Sequence, residues 1–272
     1  MPPPTDVIAR PAKAPARLRV VAARADLEPG ALHPDELHAT AVLVKAAVCR
    51  EAETLAAVTD AFPWMQPWRD HQLWASGVWR CRVGEAEREY TAQHAPLLKF
   101  HTDMSRLPHP PEYTVIRWVA ADPLGGGANL LIHIEDALRR LVELGEARLL
   151  TVLRSERRLN AADAAGRRAA LVSRHPRGHT MARIFDDEAA TKGLHLEMTS
   201  ADLAELRRFV ALCHTWTDLI VRPSLEAGDI LAFSNHTFLH AREACGGPGR
   251  TTEVVLAHRG GARGGAGAAD GE

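Results

Sequence analysis

The chain has 272 residues, is 46% hydrophobic and 25% charged, and carries a formal net charge of -1, which is enough apolar material for one substantial core. That charge balance excludes a surface built to grip nucleic acid or anionic lipid, and no apolar run approaches the roughly 20 residues of a membrane span. The four cysteines, Cys49, Cys81, Cys213 and Cys245, form no Cys-x-x-Cys pair and follow no secretory leader, so reduced thiols in a cytoplasmic protein are expected.

Residues 1 to 17, rich in proline and alanine, read as a disordered arm, and residues 260 to 272, nearly all glycine and alanine, as a disordered tail. The span 18–259 shows no internal repeat and no linker, which predicts one domain. Ala41 to Ala47 is a short apolar run suited to a buried strand. A helix is predicted over residues 51 to 61, with Leu55, Val58 and Phe62 on one side. From Phe62 to Trp79 four tryptophans (Trp64, Trp68, Trp74, Trp79) stand among prolines and polar residues. A lid is one reading of this loop-rich segment, and a hydrophobic cluster under a loop is the favoured one.

Strands are predicted at Gly77 to Val83, Leu97 to Asp103 and Tyr113 to Ala120. Ile134, Leu138, Leu141 and Val142 recur at helical spacing, and Ala147 to Leu153 reads as strand. A helix from Asp202 to His214 carries Leu203, Leu206, Val210 and Cys213 on one stripe, capped by Thr199 or Ser200. Strands follow at Thr217 to Val221, Ile230 to Phe233 and Thr251 to His258, with a turn at Glu226-Ala-Gly-Asp229. Many strands with inserted helices predict a mainly β fold, a sandwich or barrel core with helical decoration.

Two histidines and one carboxylate suit an iron(II) ion held on one face and open on the other. His101 and Asp103, one residue apart in Phe-His-Thr-Asp-Met, point the same way if they share a strand. His240, in Thr-Phe-Leu-His-Ala-Arg, supplies the second imidazole. Zinc accepts the same donors, so a zinc hydrolase and a non-catalytic metal-binding jelly roll are the competing readings.

The runs Leu98-Lys-Phe-His-Thr-Asp-Met-Ser-Arg, Pro110-Pro-Glu-Tyr-Thr-Val-Ile-Arg, Asp122-Pro-Leu-Gly-Gly-Gly-Ala-Asn-Leu-Leu and Leu225-Glu-Ala-Gly-Asp-Ile-Leu-Ala-Phe-Ser-Asn-His-Thr-Phe-Leu-His-Ala-Arg-Glu resemble the taurine dioxygenase and clavaminate synthase group of iron(II)- and 2-oxoglutarate-dependent oxygenases. The match covers residues 97 to 138 and 224 to 259. The resemblance implies a double-stranded β-helix, or jelly roll, with His101, Asp103 and His240 as metal ligands. His236 is a weaker candidate than His240, because in the family pattern the ligand follows a short apolar stretch, here Phe238-Leu239.

The same resemblance implies Fe(II), 2-oxoglutarate and O2 as cofactors, with release of succinate and CO2 and hydroxylation of an unactivated C–H bond. Desaturation, epoxidation and cyclisation use the same ligands. The family places an arginine for the distal carboxylate of 2-oxoglutarate ten to twenty residues after the last histidine, which suits a planar, always-charged donor. Arg250 is the first choice and Arg259 the reserve, while Arg242 serves structure or substrate. Where taurine dioxygenase has a threonine after the Gly-Gly turn, Asn129 follows here, and its amide can donate the same bond.

The substrate expected by analogy is a small polar molecule, an amino acid or natural-product intermediate. The substrate-contact candidates are Arg106, His109, Arg117, Arg183, Asp186, Asp187 and the tryptophan-rich segment. No nucleic-acid or membrane partner is expected.

Overall fold

The structure is a computed structural model and describes residues 16–22, 32–46, 53–84, 93, 96–158, 168–185 and 197–260. Its strands are β1 (Leu18–Val21), β2 (Ala41–Val44), β3 (Met65–Pro67), β4 (Trp79–Arg82), β5 (Leu98–His101), β6 (Tyr113–Ala120), β7 (Asn129–His133), β8 (Arg157–Arg158), β9 (Arg168–Ala169), β10 (Val172–Arg174), β11 (Thr180–Ala182), β12 (Ile230–Ser234), β13 (Phe238–Arg242) and β14 (Thr251–Arg259). The helices are α1 (Thr54–Ala61), α2 (Ile134–Glu143), α3 (Ala147–Arg154) and α4 (Ser200–Thr215).

A large sheet runs β1-β2-β12-β6-β14-β3, with β4 also on β14; a small one runs β5-β13-β7. Only the β1–β2 pair is parallel within these two sheets. The inner faces meet where Ala41, Ile116, Leu231 and Phe233 of the large sheet pack on Leu131 and Phe238 of the small one. Alternation sends Val42, Val44, Tyr113, Val115, Ile230, Ala232, Val255 and Ala257 to the opposite face of the large sheet. There α1 covers them with Ala57, Val58 and Ala61. The outer face of the small sheet, Phe100, Leu130, Ile132, Leu239 and Ala241, lies under α2, α3 and α4. Strands covered on both faces read as continuous apolar runs, which is why Asn-Leu-Leu-Ile-His (β7) and Phe-Leu-His-Ala-Arg (β13) are buried at every position.

Ala147 to Leu153, predicted as a strand, is the helix α3. Its Leu149, Val152 and Leu153 form a helical stripe that joins Leu206, Phe209 and Val210 of α4, and a short apolar run is compatible with either period until its packing partner is known. Thr217 to Val221 is not a strand either. Leu219 and Ile220 N–H groups turn back to Trp216 C=O, and only Val221 bridges the sheet, at Leu131. Thr199 rather than Ser200 caps α4, its Oγ1 accepting from Asp202 N–H at 3.1 Å.

The Glu226 to Asp229 turn turns on Gly228, at φ +91. Fully buried Asp229 accepts from Ala46 N–H (2.7 Å), Lys45 Nζ (2.6 Å) and Glu226 N–H (2.8 Å), tying the end of β2 to the start of β12. Arg17, assigned to the disordered arm, is docked instead: its guanidinium donates to both oxygens of the buried Asp136 on α2, at 2.8 and 3.0 Å. Residues 1–15 and 261–272 lie outside the described residues, as do Cys49, Asp186 and Asp187. No helix of the described residues is long and apolar enough to cross a membrane.

Candidate active site

β13 lies between β5 and β7, and the register pairs His240 with His101 directly across the strands. Their ring centroids are 4.2 Å apart. The Asp103 carboxylate faces both, with Oδ1 3.7 Å from His101 Nε2 and Oδ2 3.4 Å from His240 Nε2, and one ligand atom from each of the three residues falls within 4.8 Å of the others.

The means of bringing Asp103 there differs from the expected strand alternation. β5 ends at His101, Thr102 is buried with its Oγ1 donating to Ile184 C=O at 3.2 Å, and Met104 takes φ 52, a left-handed conformation uncommon for a residue with a side chain. Asn235 fixes this turn. Its Oδ1 accepts from Asp103 N–H at 2.7 Å, and its Nδ2 donates to the carbonyls of Asp103 and Pro111, both at 2.9 Å.

Proton placement suits metal binding. His101 Nδ1 lies 2.8 Å from Lys99 C=O; a carbonyl only accepts, so the proton sits on Nδ1 and the Nε2 lone pair faces the centre. Burial lowers the His240 pKa and keeps that ring neutral. Burial by itself raises the Asp103 carboxyl, but the facing His240 and His101 outweigh it and hold the group well below the usual carboxylate range. Thr114 of β6 donates its hydroxyl to Asp103 Oδ2 at 2.9 Å.

A narrow cavity of 70 Å³ between the sheets contains all three residues together with Thr114, Asn129, Arg242 and Arg250, and is walled by Trp74, Trp79, Ile116 and Val254. Arg250 is buried over the Trp118 ring, 4.3 Å from its centroid, and donates from Nε to Gly127 C=O (2.9 Å) and from Nη2 to Asn129 Oδ1 (2.7 Å). Burial lowers its pKa to about 10, so it remains a cation at neutral pH. The glycine run makes room for it. Gly125, Gly126 and Gly127 all have positive φ, and a Cβ on Gly127 would stand 2.6 Å from Arg250 Cδ.

Other predicted residues are placed elsewhere. Arg259 lies nine residues along β14 from Arg250, roughly 30 Å at strand rise, and pairs with Asp35 at 2.8 Å. Arg117 points to the opposite face of the large sheet, because Thr114, Ile116 and Trp118 take the inward positions of β6. It bonds Thr54 there, in a larger open groove of 700 Å³ lined also by Glu253, which contains none of the three clustered residues. Arg183 is buried and donates to the carbonyls of Ser105, Leu107 and Pro108, clamping the loop after Asp103 instead of facing the cavity. Arg106 and His109 do not line the cavity either, and His109 is exposed.

Arg242 lines the cavity but donates to Pro96 C=O (3.0 Å) and Cys245 Sγ (2.7 Å), holding neighbouring chain. The tryptophans form the expected packed cluster, Trp68 and Trp74 on Leu256, with Trp74 and Trp79 doubling as cavity wall. Trp64 packs apart from them, against Phe62 and Tyr113.

Thr114 and Asn235 were invisible as site residues in the sequence. A threonine on a strand and an asparagine beside a turn carry no signal until register and turn place them at Asp103.

The profile of the Taurine catabolism dioxygenase TauD, TfdA family matches residues 36–256. The chain belongs to this family. It is thus a 2-oxoglutarate-dependent dioxygenase on a double-stranded β-helix. No curated protein sequence matches it. Among solved structures, asparagine oxygenase in complex with Fe(II), 2S,3S-3-hydroxyasparagine and succinate is 18% identical over 87% of this chain and 79% of that one, with a TM-score of 0.57. A taurine dioxygenase from Burkholderia xenovorans is 18% identical over 84% and 83%, with a TM-score of 0.55. PvcB, an Fe, alpha-ketoglutarate dependent oxygenase from an isonitrile synthetic pathway, is 21% identical over 80% and 77%, with a TM-score of 0.52. At these identities the likeness is one of fold.

Proposed function

We propose that the protein is an Fe(II)- and 2-oxoglutarate-dependent oxygenase that hydroxylates a small polar molecule, with His101, Asp103 and His240 as iron ligands and Arg250 as the anchor of the cosubstrate carboxylate. The observation that carries this reading is the convergence of two imidazoles and a carboxylate within 4.8 Å, in one cavity with a buried arginine. Iron(II), when bound, couples oxidative decarboxylation of 2-oxoglutarate by O2 to oxidation of a substrate C–H bond.

The chain's own contribution is placement and charge. Lys99 C=O orients His101, Asn235 and Thr114 orient Asp103, and Gly127 and Asn129 hold Arg250. Asn129 therefore acts on the cosubstrate through Arg250: its Oδ1 is taken up as an acceptor, and its amide hydrogens remain donors for a carboxylate. Arg250 has five N–H donors, of which one on Nε serves Gly127 and one on Nη2 serves Asn129, and the remaining three, on Nη1 and Nη2, suit a carboxylate fork. The apolar wall of Trp74, Trp79, Leu98, Ile116 and Val254 excludes water from the reacting centre.

A small substrate, an amino acid or natural-product intermediate, is supported by the narrowness of the cavity and by the product named in the asparagine oxygenase complex. A cytoplasmic setting is supported by the free thiols of Cys81, Cys213 and Cys245.

The test is succinate release from 2-oxoglutarate on adding iron(II) and ascorbate, with mass spectrometry of a treated amino-acid pool for gains of one oxygen. Anaerobic iron(II) plus 2-oxoglutarate should give a visible charge-transfer absorption that zinc cannot give. Absence of both decarboxylation and this absorption in iron-loaded protein would overturn the proposal.

A further inference from the structure

The fold holds a second concentration of imidazoles, outside the cavity just described. His175 and His179 flank the tip of the β10–β11 hairpin, closed by His175 N–H to His179 C=O and Gly178 N–H to His175 C=O, both at 2.8 Å. His236, buried in the turn between β12 and β13, reaches the same point, and its carbonyl accepts from Ala182 N–H at 2.8 Å. One ring nitrogen from each of the three lies within 4.8 Å of the others. His38 stacks on His179 with centroids 3.8 Å apart, and Glu112 belongs to an overlapping set with His38 and His179 that meets the same distance limit.

We propose that His175, His179 and His236 form a second metal site, selective for a borderline divalent cation of the zinc class, which staples the β10–β11 hairpin to the β12–β13 turn. Imidazole nitrogens bound tetrahedrally at about 2.0–2.1 Å stand roughly 3.3–3.4 Å from one another. His179 Nε2 and His236 Nδ1 are already 3.0 Å apart, so that edge opens by a few tenths of an ångström, and the others, all within 4.8 Å, close by at most about 1.4 Å. His175 has the freedom to close it, being half-buried at the hairpin tip with a long 3.2 Å contact from Arg177 N–H to its Nδ1.

His236 is prepared for the task. Its Nε2 lies 3.3 Å from Pro110 C=O, and since that oxygen only accepts, the proton sits on Nε2 and the Nδ1 lone pair points at the cluster, the arrangement that orients histidine ligands. Without metal, His179 Nε2–H donates to that lone pair; on metal binding this proton moves to His179 Nδ1, and the neutral ring offers its Nε2 lone pair to the cation. Burial holds the pKa of both His179 and His236 at about 3, so both rings are neutral when a metal arrives.

The charge around the site is balanced. The Arg177 guanidinium is paired with buried Glu112, which also accepts from Tyr113 OH (2.9 Å) and pairs with His38 Nε2 (3.1 Å). Zinc-class selectivity follows from an imidazole-dominated donor set; magnesium and calcium require oxygen.

The consequence reaches the active site. His236 is adjacent to Asn235, whose side chain clamps Asp103 on both sides of its peptide. A metal at the second site therefore holds the turn from which Asn235 and, five residues on, His240 are presented.

Equilibrium dialysis of the full chain against Zn(II) alone, followed by elemental analysis, tests this. Wild type should bind two equivalents, the His101→Ala/Asp103→Ala/His240→Ala variant one, and the same variant with His175→Gln and His179→Gln none. The count in the triple-variant background reads the second site alone and stands whatever the first one binds. Thermal unfolding gives a parallel readout, with Zn(II) raising Tm in the triple variant and not after the hairpin substitutions. Should those substitutions unfold the hairpin, His175→Gln alone in the triple-variant background should weaken Zn(II) binding at least about tenfold. An unchanged zinc count after the hairpin substitutions, or no zinc bound by the folded triple variant, overturns the proposal.

Discussion

Gly127→Ala should separate the cost of backbone strain from the loss of Arg250 as the proposed cosubstrate anchor. At φ +68, an alanine costs about 1–2 kcal/mol from left-handed sterics alone. Its Cβ would also stand 2.6 Å from Arg250 Cδ and 2.9 Å from Cys245 Sγ, so Arg250 must retreat by most of an ångström to reach ordinary contact. It has little room to do so, being 4% exposed and held by Gly127 C=O, Asn129 and the Trp118 ring.

A charged hydrogen bond of about 1.5–3 kcal/mol lost to the bound carboxylate corresponds to a roughly 10- to 150-fold rise in the apparent KM for 2-oxoglutarate. Gly125→Ala is the internal control. Its φ is +85, yet a Cβ there meets nothing within 4 Å, so it bears the strain without disturbing Arg250. The assay is succinate production against 2-oxoglutarate concentration for both variants, with urea unfolding to measure stability. Equal KM values for the two folded variants would refute the reasoning.

Alanine at His101, Asp103 or His240 should abolish 2-oxoglutarate decarboxylation in a succinate assay, whereas Arg250→Ala should chiefly raise the 2-oxoglutarate KM and Arg259→Ala leave it unchanged. Thr114→Val removes the hydroxyl that donates to Asp103 Oδ2 and should weaken Fe(II) binding by about 10–100-fold, read by competition with a chelator. Asp136 is buried, and although burial raises its carboxyl, Arg17 and Arg139 hold its pKa below the ordinary value. Its stabilisation is therefore present above the unfolded pKa of about 3.9 and is lost as pH falls below it. Asp136→Asn should cost about 3 kcal/mol at neutral pH, and its gap from wild type in urea unfolding should narrow towards pH 3.

The candidate triad could be singled out in the sequence because its residue types stand at near-fixed local spacing, His-x-Asp and then a histidine after Phe238-Leu239, and the structure brings these three side chains within 4.8 Å of one another. The large-sheet strands Tyr113 to Ala120 and Thr251 to Arg259 were legible too, since long β-rich runs leave little ambiguity. α3 was not. Leu149 to Leu153 fits a buried strand or a helical stripe equally well, and only α4 lying alongside decides.

The arginines show the same division. Sequence distance from His240 admitted both Arg250 and Arg259, which are alike in charge and stand at opposite ends of β14, Arg250 just before it and Arg259 as its last residue. What separates them is that one end of β14 enters the cavity beside Gly127 and the other meets Asp35. Arg117 and Arg183 were candidates by charge alone, and strand parity and a buried cluster of carbonyls took them elsewhere. The amino-acid order thus determined which chemistry the chain could perform, through side chains whose types admit few other uses together. Tertiary structure alone decided which copies of common residues serve it, and brought His175, His179 and His236 to one point, because long-range register and turn packing have no local signature in the chain.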